Sequence, residues 1–314
     1  QWQLEERQPS PAEVDAYLDW YFEFRGVPGL RREMGSDYVV SDGLRLHLDL
    51  LESKPGDPAV VFVPGTGMYA AIYGEFMHKL RLAGFNVIGL DPRGHGRSEG
   101  RRGSYTVNEL VRDAQAAITY AIEHYGERVA IAGSSQGGIT AFYAAAADPR
   151  IRAAVCHNLA LLHEPEIFTV SRYPELLRMA YPLLAEIARR VPELKIPIWL
   201  YLHEDRLGRS SLGDIKDVYR QTPLAIDRVA LKAMISLAST PPARPPEEVT
   251  TPILVVHAER DALFSREYIG SIYNRLGGPK ELVIVPEAEH LVWMEQVDAS
   301  IPPVVEWLQQ TLKK

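Results

Sequence analysis

The spacing of apolar residues changes along the chain, and each change predicts a different element. Over Pro11–Phe24, Val14, Tyr17, Leu18 and Tyr21 recur at helical spacing. In SDYVVSDGLRLHLDLLES the pattern becomes an alternation. Val39 and Val40 lead into Asp42-Gly43, and Leu44, Leu46, Leu48 and Leu50 follow at every second position, which predicts an antiparallel hairpin. From Ala59 the apolar runs are short and continuous: AVVFVPG, FNVIGLD, RVAIAG, RAAVCHN, PILVVHA and ELVIVP. Strands apolar on both faces belong in a parallel sheet covered on both sides. Helical patterns over 71–83, 107–124, 138–147, 266–276 and 301–312 fall between most of them. This alternation predicts an α/β fold with a doubly wound, mostly parallel sheet and an antiparallel hairpin at its N-terminal edge.

One connection is too long for that scheme. Some ninety residues separate RAAVCHN from PILVVHA, and a compact domain does not leave such a length structureless. Leu176, Ala180, Leu183, Leu184, Ile187 and Val191 repeat at helical spacing. The expectation is a core domain formed by 1–158 and 250–314, with 159–249 inserted as a helical cap. The Pro-rich TPPARPPEEVTTP marks its exit. The apolar stripe of the cap reads either as packing on the core or as the wall of an acyl pocket.

Composition narrows the functional classes. The net charge of −7 offers no basic face for phosphates and argues against nucleic acid as a partner. No apolar run reaches transmembrane length. The single cysteine, Cys156, forms no internal disulfide and fits a reducing, cytoplasmic setting. Oligomeric state is not legible.

The chemistry concentrates in AIAGSSQGGITAF. Gly133, Ser135 and Gly137 fit G-x-S-x-G, between a buried strand and an alanine-rich helix. That context is a nucleophile elbow: a tight turn that lifts a serine Oγ clear of the sheet. A serine nucleophile needs a base, and the base needs an orienting carboxylate. Asp261 follows the strand in VVHAERDALF, and His290 follows the last strand in IVPEAEHLVW. The order Ser135, Asp261, His290 is that of an elbow-borne triad. His157 and His257 at strand ends compete for the base, and Glu259 competes for the acid. His95 reads as a turn residue, His203 as solvated cap surface, and Cys156 as a small buried residue. No metal-ligand spacing is found.

These segments resemble the α/β hydrolases, in particular the monoacylglycerol lipase, lysophospholipase and carboxylesterase branch. GLDPRGHGRSEG matches the D-x-R-G-H-G-x-S-x-G stretch of that branch, and HAERD and EAEH match its acid and histidine segments. The resemblance runs from Ala59 to the C-terminus and is loose over the cap. It implies an oxyanion hole formed by the amides of Gln136 and Thr66. One position departs: Pro64-Gly65-Thr66-Gly67 stands where the family usually has His-Gly, so no imidazole braces this loop. That leaves the second donor open between Thr66 and Gly67. Gly67, Tyr69 and Trp293 flank the predicted site and are candidate pocket residues, with simple packing as the alternative. The resemblance implies a cofactor-free serine carboxylesterase acting on a small-molecule or lipid-like ester: short to medium acyl esters, monoglycerides or lysolipids, with polyesters as a minor class. The alternatives are a carbon–carbon bond hydrolase or perhydrolase with the same triad, and a ligand-binding receptor on this fold.

Overall fold

The structure, a computed structural model, describes residues 9–312. In chain order its elements are helix α1 (Pro11–Phe24), helix α2 (Leu30–Glu33), strand β1 (Gly35–Ser41), strand β2 (Leu44–Leu51), strand β3 (Ala59–Val63), helix α3 (Gly74–Leu82), strand β4 (Asn86–Leu90), helix α4 (Val107–Tyr125), strand β5 (Val129–Ser134), helix α5 (Gln136–Ala147) and strand β6 (Ala153–His157). Then come helix α6 (Pro174–Arg190), strand β7 (Lys195–Pro197), helix α7 (Ile215–Gln221), strand β8 (Arg228–Ala230), helix α8 (Leu231–Ser236), strand β9 (Ile253–Ala258), helix α9 (Arg266–Arg275), strand β10 (Lys280–Val285), helix α10 (Val292–Glu295) and helix α11 (Val297–Leu312).

The main sheet has eight strands in the order β1-β2-β4-β3-β5-β6-β9-β10. β1 and β2 pair antiparallel, as do β2 and β4, and every other pair is parallel. The fold is thus a doubly wound, mostly parallel α/β sheet with an N-terminal hairpin. Every residue of β3, β4, β5, β6 and β9 is buried, which is why those runs are apolar without alternation. The hairpin turns at Asp42 (φ 49°) and Gly43 (φ 79°), two consecutive positive φ values, as a two-residue primed turn requires.

Local signals set several helix starts. Ser10 caps α1, with its Oγ accepting from the Glu13 amide while the Glu13 carboxylate accepts from the Ser10 amide. Thr106 and Glu109 form the same reciprocal pair at the start of α4. Three starts differ from the periodicity. α3 begins at Gly74, three residues late, because a tighter 3₁₀ turn occupies 70–73 before it. α5 begins at Gln136, two residues early, because the helix grows directly out of the turn. α11 begins at Val297, four residues early.

The segment between β6 and β9 holds α6, α7 and α8, and also β7 and β8, which pair antiparallel in a separate two-stranded sheet. Helical periodicity had predicted helices only. The short strands Lys195–Pro197 and Arg228–Ala230 are three residues each, too brief to show a period of two. On α6, Leu184 and Ile187 pack against the core, whereas Leu176 and Leu183 are exposed. The apolar stripe therefore divides between two faces.

Candidate active site

Ser135 sits between β5 and α5 with φ 54° and ψ −117°, a region that non-glycine residues rarely occupy and that costs about 1–3 kcal/mol. The surroundings enforce it. A Cβ on Gly133 would lie 2.0 Å from the Gly137 carbonyl oxygen, and one on Gly137 would lie 2.1 Å from that of Val63. Only glycine lets strand, turn and helix approach so closely. The Ser135 amide donates to the His157 carbonyl at 2.8 Å, which anchors the turn to β6.

Asp261 and His290 lie in the loops after β9 and β10. Together with Ser135 they occupy the carboxyl ends of three strands of one sheet, where ligands bind in this architecture. His290 Nε2 is 2.9 Å from Ser135 Oγ, and His290 Nδ1 is 2.8 Å from Asp261 Oδ2. With the Nδ1 proton directed at the carboxylate, Nε2 is left to accept the Ser135 hydroxyl proton. Asp261 Oδ1 accepts from the Leu263 and Phe264 amides at 2.8 and 3.0 Å. Burial alone would raise the Asp261 carboxyl. The charge and hydrogen bond of His290, with the Phe264 amide, outweigh burial and hold it well below the usual carboxylate range.

The competing residues have other partners. Glu259 is exposed and accepts from the Glu287 amide at 2.8 Å. His157 is fully buried, near Ser134 Oγ (3.1 Å) rather than Ser135, and burial pushes it down to about 3. His257 Nδ1 donates to Asn158 Oδ1 at 3.0 Å. His95 is buried in its turn, donates to the Arg93 carbonyl, and is pushed down to about 4 by burial. Burial raises the Cys156 thiol, which lies inside β6. The Asp91–Gly100 motif serves the architecture: the Asp91 carboxylate accepts from the Ala70 and Arg97 amides, and Arg93 pairs with buried Asp113 at 2.6 Å.

Gln136 follows Ser135 in the chain, and Thr66 borders the same two cavities as Ser135. Gln136 is the first residue of α5, so its N–H has no acceptor within the helix and lies at the positive end of the dipole. Thr66 Oγ1 donates to Gln136 Oε1 at 3.1 Å, and the same oxygen accepts from Tyr105 at 3.2 Å, which ties the two segments together.

Two cavities meet at Ser135 and Thr66, of about 20 and 60 Å³. The first is walled by Met68, Leu207, Ile215, Tyr219, Leu291 and Met294, and the second by Ile139, Leu162, Ile167, Val170, Leu237 and Leu263. Leu202 borders both, and neither wall contains an Asp or Glu. The candidate pocket residues Gly67, Tyr69 and Trp293 lie outside both walls. Trp293 follows His290 by three residues, but its ring turns inward and stacks on Phe76 at 4.2 Å. Tyr69 is buried, and Gly67 faces the Ile226 carbonyl.

Several residues at the site were not singled out from the sequence. Asn158, at φ 69°, donates to Asp261 Oδ2 at 3.0 Å, and its Nδ2 lies 3.3 Å from His290 Nδ1. Its place just after β6 was a signal that could have been used. Tyr73 accepts from the Gly65 amide at 3.2 Å, and Tyr219 donates to the Thr66 carbonyl at 2.6 Å. Nothing local marks Tyr219, which is 153 residues from Thr66. Among the described residues, two groups have ligand-type atoms within 4.8 Å of one another: His157, Asp261 and His290, and the buried His47, Asp49 and Asp91. In the first, His290 and Asp261 already engage each other. In the second, both Asp91 oxygens already accept backbone amides. Among the described residues no helix is long and apolar enough to cross a membrane.

Comparison with known proteins agrees with this fold. Human serine hydrolase BPHL is 25% identical over 262 residues, covering 83% of this chain and 81% of that protein. A monoacylglycerol lipase of Mycolicibacterium smegmatis is 26% identical over 226 residues, covering 70% and 76% respectively. The crystal structure of the α/β hydrolase GrgF from Penicillium superposes with a TM-score of 0.73 at 21% identity, covering 90% of this chain and 99% of that one. The pattern of the Hydrolase_4 family, described as serine aminopeptidase S33, matches residues 54–297, and the chain belongs to that family of serine hydrolases with the α/β-hydrolase fold.

Proposed function

We propose that this hydrolase is a serine carboxylesterase. The observation that carries the reading is the unbroken relay from Ser135 Oγ through His290 to Asp261, set beneath apolar walls. Ser135 attacks the ester carbonyl while His290 Nε2 takes its proton. Asp261 holds the ring and stabilises the imidazolium. The Gln136 and Thr66 amides receive the oxyanion, each donor being worth about 3 kcal/mol. His290 then returns the proton to the leaving alcohol, and water, activated by the same imidazole, releases the acyl group from Ser135.

The walls favour an ester over a peptide. An aminopeptidase must receive a free α-ammonium group, and burying that charge requires a carboxylate partner. The walls offer aliphatic and aromatic side chains instead. Residues 159–249 act in this reading as the cap. The small cavities suit short acyl groups, and longer esters, monoglycerides or polyesters require the cap to move.

The test is hydrolysis of p-nitrophenyl esters from acetate to palmitate by the wild type and by Ser135→Ala. The expected result is turnover highest for short chains and reduced at least about 10⁴-fold in the variant. Absence of ester turnover, or turnover that persists in Ser135→Ala, overturns the assignment.

A further inference from the structure

The loop carrying the Thr66 amide begins with Pro64, which has no polar side chain to brace it. Its form is nevertheless specific. The Met68 amide donates to the Gly65 carbonyl at 3.1 Å, closing a four-residue turn, and Gly67 within it has φ 70°. Positive φ at the third position is the mark of a type II turn. Such a turn differs from type I by a flip of its central peptide, here Thr66–Gly67. A flip would reverse the Thr66 carbonyl and the Gly67 amide beside the nucleophile.

That carbonyl is held from the cap. Tyr219 on α7 donates its hydroxyl to Thr66 O at 2.6 Å, and the Ile226 amide donates to Gly67 O at 2.9 Å. Trp199 packs edge-on against the Tyr219 ring at 5.1 Å. The contact is close-fitting, since a Cβ on Gly67 would lie 2.3 Å from Ile226 O and 2.9 Å from the Tyr219 ring. Tyr219 also borders both the 20 Å³ cavity at Ser135 and an open groove of about 490 Å³ on its other side. While its ring is in place, the space at the nucleophile stays small.

We propose that Tyr219 is a positioning residue. Its hydroxyl holds the Thr66–Gly67 peptide with the Thr66 carbonyl turned to the cap, which keeps that negative dipole end from swinging toward the developing oxyanion, so the oxyanion loop is competent only when the 215–226 segment is seated on it. The inference rests on the esterase reading above. It assigns to a cap tyrosine the bracing for which the core has no side chain at position 64.

The experiment compares the wild type with Tyr219→Phe, which keeps the ring and removes only the hydroxyl. Three quantities are measured: kcat and KM on p-nitrophenyl acetate, affinity for phenylboronic acid, and Tm. The boronic acid forms a tetrahedral adduct on a serine Oγ and places an oxygen where the oxyanion develops. The expected result is a fall in kcat of about tenfold with KM within twofold, a similar loss of boronate affinity, and a Tm within a few degrees. A rise in KM alone, or unchanged boronate affinity, overturns the proposal and leaves Tyr219 a pocket wall. The boronate arm separates the two readings. If wild type cleaves no ester the esterase assignment fails, while the effect of Tyr219→Phe on boronate binding still reports on the turn.

Discussion

The floor and the roof of the site are built on different terms. On the floor, Ser135, Asp261 and His290 stand at the ends of β5, β9 and β10, strands buried or partly buried in one sheet and fixed in parallel register. Their positions follow from strand ends and from glycines that admit no substitute. The roof combines the 17-residue α6 with short elements: two three-residue strands, the seven-residue α7 and irregular chain between them. It meets the floor through a few specific contacts, such as Tyr219 on Thr66. A rigid floor suits chemistry, which tolerates little displacement of reacting atoms. A loosely built roof can vary in shape without disturbing the relay. The comparison predicts that floor changes, and the Tyr219 contact that braces the floor from above, act mainly on kcat, whereas roof changes elsewhere act on which substrate is accepted.

The largest effect is expected at Asp261. Asp261→Asn keeps the volume but presents an amide that favours the wrong imidazole tautomer, so kcat on short esters should drop about 10⁴-fold with KM little changed. Steady-state kinetics on p-nitrophenyl acetate check this. A loss below tenfold would mean that the carboxylate is not part of the relay, and the contrast between floor and roof would fail where it should be sharpest.

The floor was largely readable because its constraints are local. Gly133-x-Ser135-x-Gly137 records a turn in which two Cβ atoms would collide with backbone, and Asp261 and His290 each follow a buried apolar run within a few residues. Asn158 escaped notice although it also follows such a run, because an amide is not itself an acid or a base. The roof was not readable in the same way. Leu202 and Tyr219 reach the site, and Ile226 reaches Gly67, through contacts between segments far apart in the chain, and nothing in their neighbours announces it. Trp293 shows the converse: proximity to His290 in sequence left pocket and packing both open, and the start of α10 turns its ring onto Phe76.

The floor also has a cost in acid. His157 and His95 are buried, and burial pushes them down to about 3 and about 4 from an ordinary value near 6.5. Between those values and 6.5 the unfolded chain binds protons that the folded chain refuses. Stability therefore falls as pH drops through that window, by about 1.4 kcal/mol per pH unit for each imidazole. Urea unfolding at pH 7 and pH 5 should show the loss, and His157→Gln should make the dependence shallower. An unchanged slope in that variant would show that His157 is not buried as the neutral form.

Asn158 allows a smaller and more selective disturbance. It donates to the Asp261 oxygen that also receives His290, and it accepts from His257. Asn158→Leu should lower kcat about tenfold by freeing the Asp261 carboxylate to turn. Asn158→Asp places a second carboxylate near His290 Nδ1, at a position now 3.3 Å away. Additional negative charge favours the imidazolium, so the acid limb of the kcat/KM profile should move to higher pH. A merely structural role would change Tm in both variants and leave the limb where it is.

The smallest expected effect tests the roof directly. Leu202 borders both cavities at Ser135. Leu202→Ala removes three heavy atoms and joins them, so the preferred acyl chain should lengthen by about two carbons. The kcat on acetate should stay within about threefold, because nothing on the floor has moved. The ratio of kcat/KM for hexanoate over acetate, compared between variant and wild type, isolates this from any general loss. If acetate and hexanoate fall together, Leu202 supports the relay itself, and roof and floor are not separable at that position. If the ratio rises while the Ser135 chemistry holds, substrate choice is set by side chains that can be exchanged without rebuilding the strand ends.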